Sequence, residues 1–146
     1  MKKNALILLL SVCVLLPFTS CKQTPKTGDT DSTSGKEETL IIENEGEYPR
    51  DFDLFGDNSV KERLKALLGE DFKEVKDNFE TQTPVVSEEN IYKFTGCKAH
   101  DCPSFLTRVY YDANRDNFNV LITRSGKVKV YTEKEQIEIP KVLEVK

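Results

Sequence analysis

Apolar side chains recur every three or four residues in two neighbouring stretches of the chain, which is the spacing of amphipathic helices. The first stretch can begin at Asp57, Asn58 or Ser59, all residues that cap helices well, and Glu62 completes a Ser-x-x-Glu capping box from Ser59. Gly69 is placed to end this helix. One face of the predicted helix carries Val60, Leu64, Leu67 and Leu68.

A second, shorter helix is predicted by Phe72, Val75 and Phe79, which are spaced three and four residues apart. Polar residues fill the positions between them, so one face of this helix stays in water. Two amphipathic helices of this size need another apolar surface to cover, and we expect a sheet to provide it.

Alternation of apolar and polar residues between turn signals then predicts strands. The clearest case places the odd-numbered residues from Phe105 to Tyr111 on one side of a strand, and Ser125-Gly126 predicts a tight turn between two later strands. The connections are too short for crossovers, so the sheet should be antiparallel. The predicted strands cover residues 83–86, 91–95, 105–111, 118–123 and 128–131.

The tail over residues 137–145 is a candidate for a further edge strand, with Pro140 marking an edge or a break. Together these patterns predict an α+β fold, in which an antiparallel sheet of about five strands is flanked by two short amphipathic helices.

The amino terminus has the features of an export signal. Lys2 and Lys3 precede an apolar run, residues 5–16, that is too short to span a bilayer and has the length of a signal-peptide core. The Phe-Thr-Ser-Cys segment that ends at Cys21 resembles the bacterial lipobox, with Phe where Leu is usual and Ser where Gly or Ala is usual. We therefore expect a lipid anchor at Cys21, and ordinary secretion after cleavage is the alternative.

The predicted organisation is a signal peptide over residues 1–20, a lipidated Cys21 with a flexible tether over residues 21–39, and one domain over residues 40–146. Residues 22–39 contain no large apolar side chain, so no burial can offset the entropy of ordering them. The expected location is the cell envelope, on its periplasmic face or on the cell surface, with the membrane contacted through the lipid.

The charge balance is acidic. The chain has 25 acidic and 21 basic residues, for a formal net charge of −4, and loss of a signal peptide with its two lysines takes this to −6. Such a surface disfavours nucleic acid and favours a basic partner, or simply keeps an exported protein soluble.

Four cysteines divide into two groups. Cys13 leaves with a signal peptide and Cys21 becomes the lipidated terminus, which leaves Cys97 and Cys102 as an even pair in an oxidising compartment. A disulfide between them is the expectation.

The loop between these cysteines holds the only histidine of the chain and lies between two predicted strands. From the residues alone, it is a structural staple with an exposed histidine, a zinc site of the Cys-x2-His-x-Cys type that lacks a fourth ligand, or a redox pair whose spacing exceeds Cys-x-x-Cys. The six residues of the loop are Cys97, Lys98, Ala99, His100, Asp101 and Cys102.

Residues 96–102, Gly-Cys-Lys-Ala-His-Asp-Cys, resemble the Cys-Lys-Pro-His-Asp-Cys loop of the family of inhibitors of vertebrate lysozyme, called Ivy, at the same spacing. The order of predicted elements around the loop is also similar to that family, so the resemblance spans residues 55–132. Ala99 stands where the family has Pro, and the best-known members are soluble periplasmic proteins without a lipid anchor.

The resemblance implies an inhibitor. The sequence also has no nucleophile paired with a base, no histidine cluster and no phosphate-binding glycine loop, so we expect no enzyme activity, cofactor or metal. By resemblance, the loop enters the substrate cleft of a c-type lysozyme, and His100 hydrogen-bonds the two catalytic carboxylates. The implied partner is that lysozyme. The sequence leaves open a related lytic transglycosylase as the target, and also a homodimer. The alternative function is a surface lipoprotein that binds a glycan or a partner protein without inhibiting an enzyme.

Aromatic residues in the predicted strands allow one further interpretation. Tyr110, Tyr111, Phe105 and Phe118 could form a platform for a sugar, or they could belong to the core of the sheet, which is the commoner role.

Overall fold

An antiparallel sheet organises the part of the chain that the computed structural model describes, residues 40–102 and 104–145. The predicted signal peptide, the lipid site at Cys21 and the tether lie outside the described residues. Within the described ranges, no helix combines the length and the apolar character needed to cross a membrane.

The first predicted helix is present as α1, Ser59–Leu68. Its cap is Asn58, whose side-chain oxygen accepts a hydrogen bond of 2.8 Å from Lys61 N, so the capping box from Ser59 is not the one used. Gly69 ends the helix with a φ of 56° and a ψ of −123°, a combination that glycine adopts without a steric penalty.

The second predicted helix is α2, Asp71–Asp77, with Val75 buried. Phe79 lies two residues beyond its end and is also buried, in the core cluster that joins the helices to the sheet. Both helices therefore turn apolar side chains toward the sheet, as their spacing predicted.

The α+β class and the antiparallel sheet are confirmed. Along the sheet the strand order is β1-β3-β4-β5-β6, and β2 pairs with the same edge of β3 as β1 does. The strands are β1 Thr81–Gln82, β2 Val86–Glu88, β3 Ile91–Cys97, β4 Phe105–Asp112, β5 Asn117–Arg124 and β6 Lys127–Thr132.

The strand predicted over residues 83–86 is wrong in detail, because the chain leaves β3 between β1 and β2. Pro84 has no N–H to give to a ladder. Val85 pairs elsewhere: its N–H donates to the Glu47 carbonyl at 2.9 Å, and its carbonyl accepts from Gly46 N at 2.8 Å. The sheet thus has six short strands where about five were predicted, with one edge strand split in two.

The connection between the strands predicted over residues 83–86 and 91–95 is shorter than expected. β2 and β3 form a hairpin whose turn residues are Glu89 and Asn90, with φ of 53° and 62°. Positive φ at both central residues is the type I′ geometry, which matches the twist of the two strands.

The tail was a candidate for an edge strand, and that prediction is wrong. Residues 141–145 form a helix, α3 Lys141–Val145, and Ile137 and Leu143 are buried on the face of the sheet opposite α1 and α2. Side-chain amides hold the approach to α3: Asn119 Oδ1 accepts from Ile137 N at 2.9 Å, and its Nδ2 donates to the Glu135 carbonyl. These bonds take the place of a strand ladder.

The aromatic residues belong to the core. Tyr110, Tyr111, Phe105 and Phe118 are each no more than 7% exposed, so they offer no platform for a sugar.

Candidate functional site

A loop projects from the end of the sheet where β3 stops and β4 starts. Cys97 and Leu106 are the last paired residues of β3 and β4 at this end, and the loop connects the two strands beyond this pair. The loop therefore has two interior strands of the six-stranded sheet as its support.

A disulfide joins Cys97 to Cys102, with 4.9 Å between their Cα atoms, as the cysteine count predicted. Because both sulfur atoms are used in this bond, neither cysteine is available as a thiolate ligand for zinc. The covalent closure limits the conformations open to the four residues inside it.

Inside the disulfide, the chain makes a β-turn. Asp101 N donates to the Lys98 carbonyl at 3.0 Å, which closes a four-residue turn with Ala99 and His100 at its centre. His100 has a φ of 63°, and Ala99 does not have a positive φ. Positive φ at the third position alone is the pattern of a type II turn.

The turn presents its histidine to solvent. His100 and Lys98 are exposed, while Ala99, Asp101 and Cys102 are half-buried. The imidazole makes no hydrogen bond to the described part of the chain. Its two ring nitrogens, a donor and an acceptor when neutral and two donors when charged, are thus available to a partner.

The C-terminal side of the loop is connected by hydrogen bonds to the turn between β5 and β6. The Asp101 carbonyl accepts from Ser104 N at 3.0 Å and from Phe105 N at 3.1 Å, and the Ser104 carbonyl accepts from Ser125 N at 2.7 Å. The loop is consequently anchored to the β5–β6 turn as well as to β3 and β4.

One residue at the site was not predicted from the sequence. Glu80 lies just before β1, and its Oε2 accepts a hydrogen bond of 2.9 Å from Ala99 N. Glu80 N donates in turn to the Cys97 carbonyl at 3.1 Å. Glu80 and Ala99 are 19 positions apart in the sequence, and no local sequence pattern predicts a contact between them.

A depression of about 320 Å³ lies beside the loop. Both signs of charge line it, and Arg124 is already paired with Asp71 at 3.0 Å and with Glu74. The hydrogen bond to Glu74 is the largest influence on Arg124 and raises the pKa of its guanidinium, although partial burial acts in the opposite direction. The residues around the depression are Glu74, Asn78, Lys98, Asp101, Ser104, Phe105, Arg124 and Ser125.

A protein-family model matches more than half of the chain. The family model described as inhibitor of vertebrate lysozyme (Ivy) matches residues 59–145, which include α1, α2, all six strands, the disulfide loop and α3. No curated protein and no solved structure matches the chain.

Proposed function

The chain belongs to the Ivy family of lysozyme inhibitors, and from this membership and the form of the loop we propose that it inhibits a c-type lysozyme by inserting residues 97–102 into the active-site cleft. His100 hydrogen-bonds the two catalytic carboxylates in this proposal. The observation that carries it is the exposed His100, presented in a turn inside a disulfide-closed loop at the end of the sheet.

The chemistry of the target supports this role for a histidine. Lysozyme works with two carboxyl groups, one of which keeps a proton through a raised pKa while the other stays ionised. An imidazole has two nitrogens that point in different directions, so a single ring can bond both groups. His100 acts by occupying the carboxyl groups, with no chemical step of its own.

The way the loop is held also supports a plug. A segment that must order itself on binding loses affinity, whereas one that is held beforehand does not. The disulfide, the Lys98–Asp101 hydrogen bond and the ties to Ser104 and Phe105 all act before any partner arrives.

Substitution of His100 tests the proposal. Its positive φ makes His100→Gly the better variant, because glycine adopts this conformation without strain and has no side chain to donate a hydrogen bond. Loss of the donor to two carboxyl groups should cost about 2 to 4 kcal/mol of binding, or roughly a 30- to 1000-fold weaker inhibition of cell-wall lysis. Asn114→Ala, in the exposed β4–β5 turn at the other end of the sheet, is the control and should inhibit normally.

Two results would contradict the mechanism. Full inhibition by His100→Gly would show that the histidine side chain has no part in inhibition. Binding of lysozyme without inhibition would favour instead a lipoprotein that captures a partner protein. Running the same assay with a lytic transglycosylase separates the two possible target classes.

We also propose that the protein is lipid-anchored in the cell envelope through Cys21. The support is the apolar run over residues 5–16 followed by a lipobox-like segment. Metabolic labelling with a fatty acid should mark the wild-type chain and not Cys21→Ser.

A further inference from the structure

We propose that Glu80 is a positioning residue for the loop: its carboxylate holds the Ala99 amide and thereby keeps the turn in the form that presents His100. The proposal rests on the function proposed above. It assigns Glu80 no contact with the target enzyme.

Phe79, the residue before Glu80, holds the Glu80 backbone in a fixed position beside the loop. The ring of Phe79 is buried in the core and lies directly against the backbone of Gly96 in β3. Glu80 N then donates to the carbonyl of Cys97, the first residue of the loop. The backbone of Glu80 is therefore fixed beside the root of the loop, and its side chain needs to reach only two residues further.

The contact fills a gap left by the other restraints. The disulfide fixes the ends of the loop, at Cys97 and Cys102, and the bond from Asp101 N closes the turn. Neither of them touches the amide of Ala99, the second residue of the turn. Glu80 Oε2 accepts from that amide at 2.9 Å, and hydrogen bonds with an ionised acceptor are stronger than neutral ones.

The backbone conformation of His100 explains why the turn needs the hydrogen bond from Ala99 to Glu80. His100 has a φ of 63°, which is unfavourable for a residue other than glycine unless surrounding contacts hold it. A loop that samples other turn forms presents His100 only part of the time, and its apparent affinity falls by that fraction.

The test compares Glu80→Ala, Glu80→Gln and Glu138→Gln in the full chain. Glu138 is exposed and lies at the opposite end of the sheet, near Ile91 and Asp112, so its substitution makes the same change of net charge away from the loop. Two quantities are measured: the hydrogen-exchange rate of the Ala99 amide, and the inhibition constant against a c-type lysozyme.

Glu80→Ala should speed exchange at Ala99 and raise the inhibition constant by roughly 3- to 10-fold, since one hydrogen bond is lost. Glu80→Gln keeps an oxygen acceptor and should recover most of both values. Glu138→Gln should change neither. Glu80 is exposed, so thermal unfolding of all three variants should match the wild type.

A proline at position 99 supplies an independent restraint. Proline is favoured at the second position of a type II turn and has no N–H for Glu80 to accept from. In an Ala99→Pro background, Glu80→Ala should therefore have no further effect on inhibition. Additive effects of the two substitutions would overturn the proposal.

Two further outcomes are decisive. Unchanged exchange at Ala99 in Glu80→Ala would overturn the contact itself, and faster exchange with unchanged inhibition would overturn its role in positioning. A wild-type chain that does not inhibit lysozyme contradicts the proposed function, and the exchange rate of Ala99 still decides whether Glu80 holds the turn.

Discussion

The ring of Phe79 occupies the space that a side chain at position 96 would need: a Cβ on Gly96 would lie 2.2 Å from Phe79 Cδ2. Both residues are buried. Gly96 directly precedes the first cysteine of the loop, and Phe79 directly precedes Glu80. This contact therefore sets the distance between the root of the loop and the segment that supports it.

Gly96→Ala should lower the free energy of unfolding by about 1 to 3 kcal/mol, because a buried ring must move to admit the new methyl group. Urea denaturation measures this. If the close approach is the cause, the cost of Gly96→Ala should largely disappear in a Phe79→Ala background. An undiminished cost there would mean that Gly96 is needed for another reason.

Replacement of both loop cysteines by serine should have two effects. The free energy of unfolding should fall by about 2 kcal/mol, the entropy of closing a six-residue loop. Inhibition should weaken as well, by roughly 10- to 30-fold, since the open loop must then be ordered on binding. Denaturation of the wild type in the presence of a reductant is the control for stability, and it should reproduce the value of the double variant.

Asp116 links stability to pH. Its Oδ1 accepts from Arg63 Nη1 at 2.5 Å and from Tyr111 Oη at 3.1 Å, and Lys134 lies at 3.1 Å from its Oδ2. Burial by itself raises the pKa of this carboxyl group, but the hydrogen bonds from Arg63 and Lys134 outweigh it and hold the pKa below the ordinary value of 3.8.

A carboxyl pKa that is lower in the folded chain stabilises the fold above the unfolded value of 3.8, and this contribution is lost as the pH falls toward the folded pKa. Asp116→Asn should therefore destabilise the protein near neutral pH, by less than about 1 kcal/mol because water screens the partly exposed carboxylate, with a smaller difference from wild type at about pH 2. Urea denaturation across this range measures the difference. Asp57→Asn, at a fully exposed carboxylate, is the matched control and should leave stability unchanged across this pH range.

Asn119→Ala should release the tail from the second face of the sheet. The Asn119 side chain is buried and bonds both Ile137 N and the Glu135 carbonyl, so its loss leaves two polar groups of the tail without these partners. We expect a loss of about 1 to 3 kcal/mol in unfolding free energy and faster hydrogen exchange at Ile137. Asn114→Ala, at an exposed asparagine, should leave both unchanged.

Elements that depend on their own residues were predicted well. The apolar spacing of α1 and the alternation of β4 each describe one element packing against one surface, and the observed bounds, Ser59–Leu68 and Phe105–Asp112, follow them closely. The turn at Ser125 and Gly126 and the pairing of Cys97 with Cys102 are likewise local. In each case, the residues whose pattern supported the prediction are the same residues that form the observed element.

The errors fall where distant backbone groups compete for hydrogen bonds. Val85 has the side chain of a strand residue, yet its N–H and carbonyl pair with residues 46–47 and not with β3. Residues 137–145 have an apolar pattern compatible with a strand, but the amides of Asn117 and Asn119 bond the backbone leading into them. The pattern of apolar side chains indicates which face of a segment is buried. It does not indicate which distant backbone groups that segment will hydrogen-bond.

The sequence by itself determined the α+β class, the disulfide and the position of the single histidine between two strands, because each follows from residue type and short-range spacing. Only the tertiary structure decided that Glu80 meets Ala99 and that His100 stands exposed with a positive φ. Those facts depend on the register of β1 against β3, which brings Thr81 opposite Cys97. Register is set by the packing of residues such as Phe79 and Gly96 across the sheet, and it emerges only when the whole core is assembled.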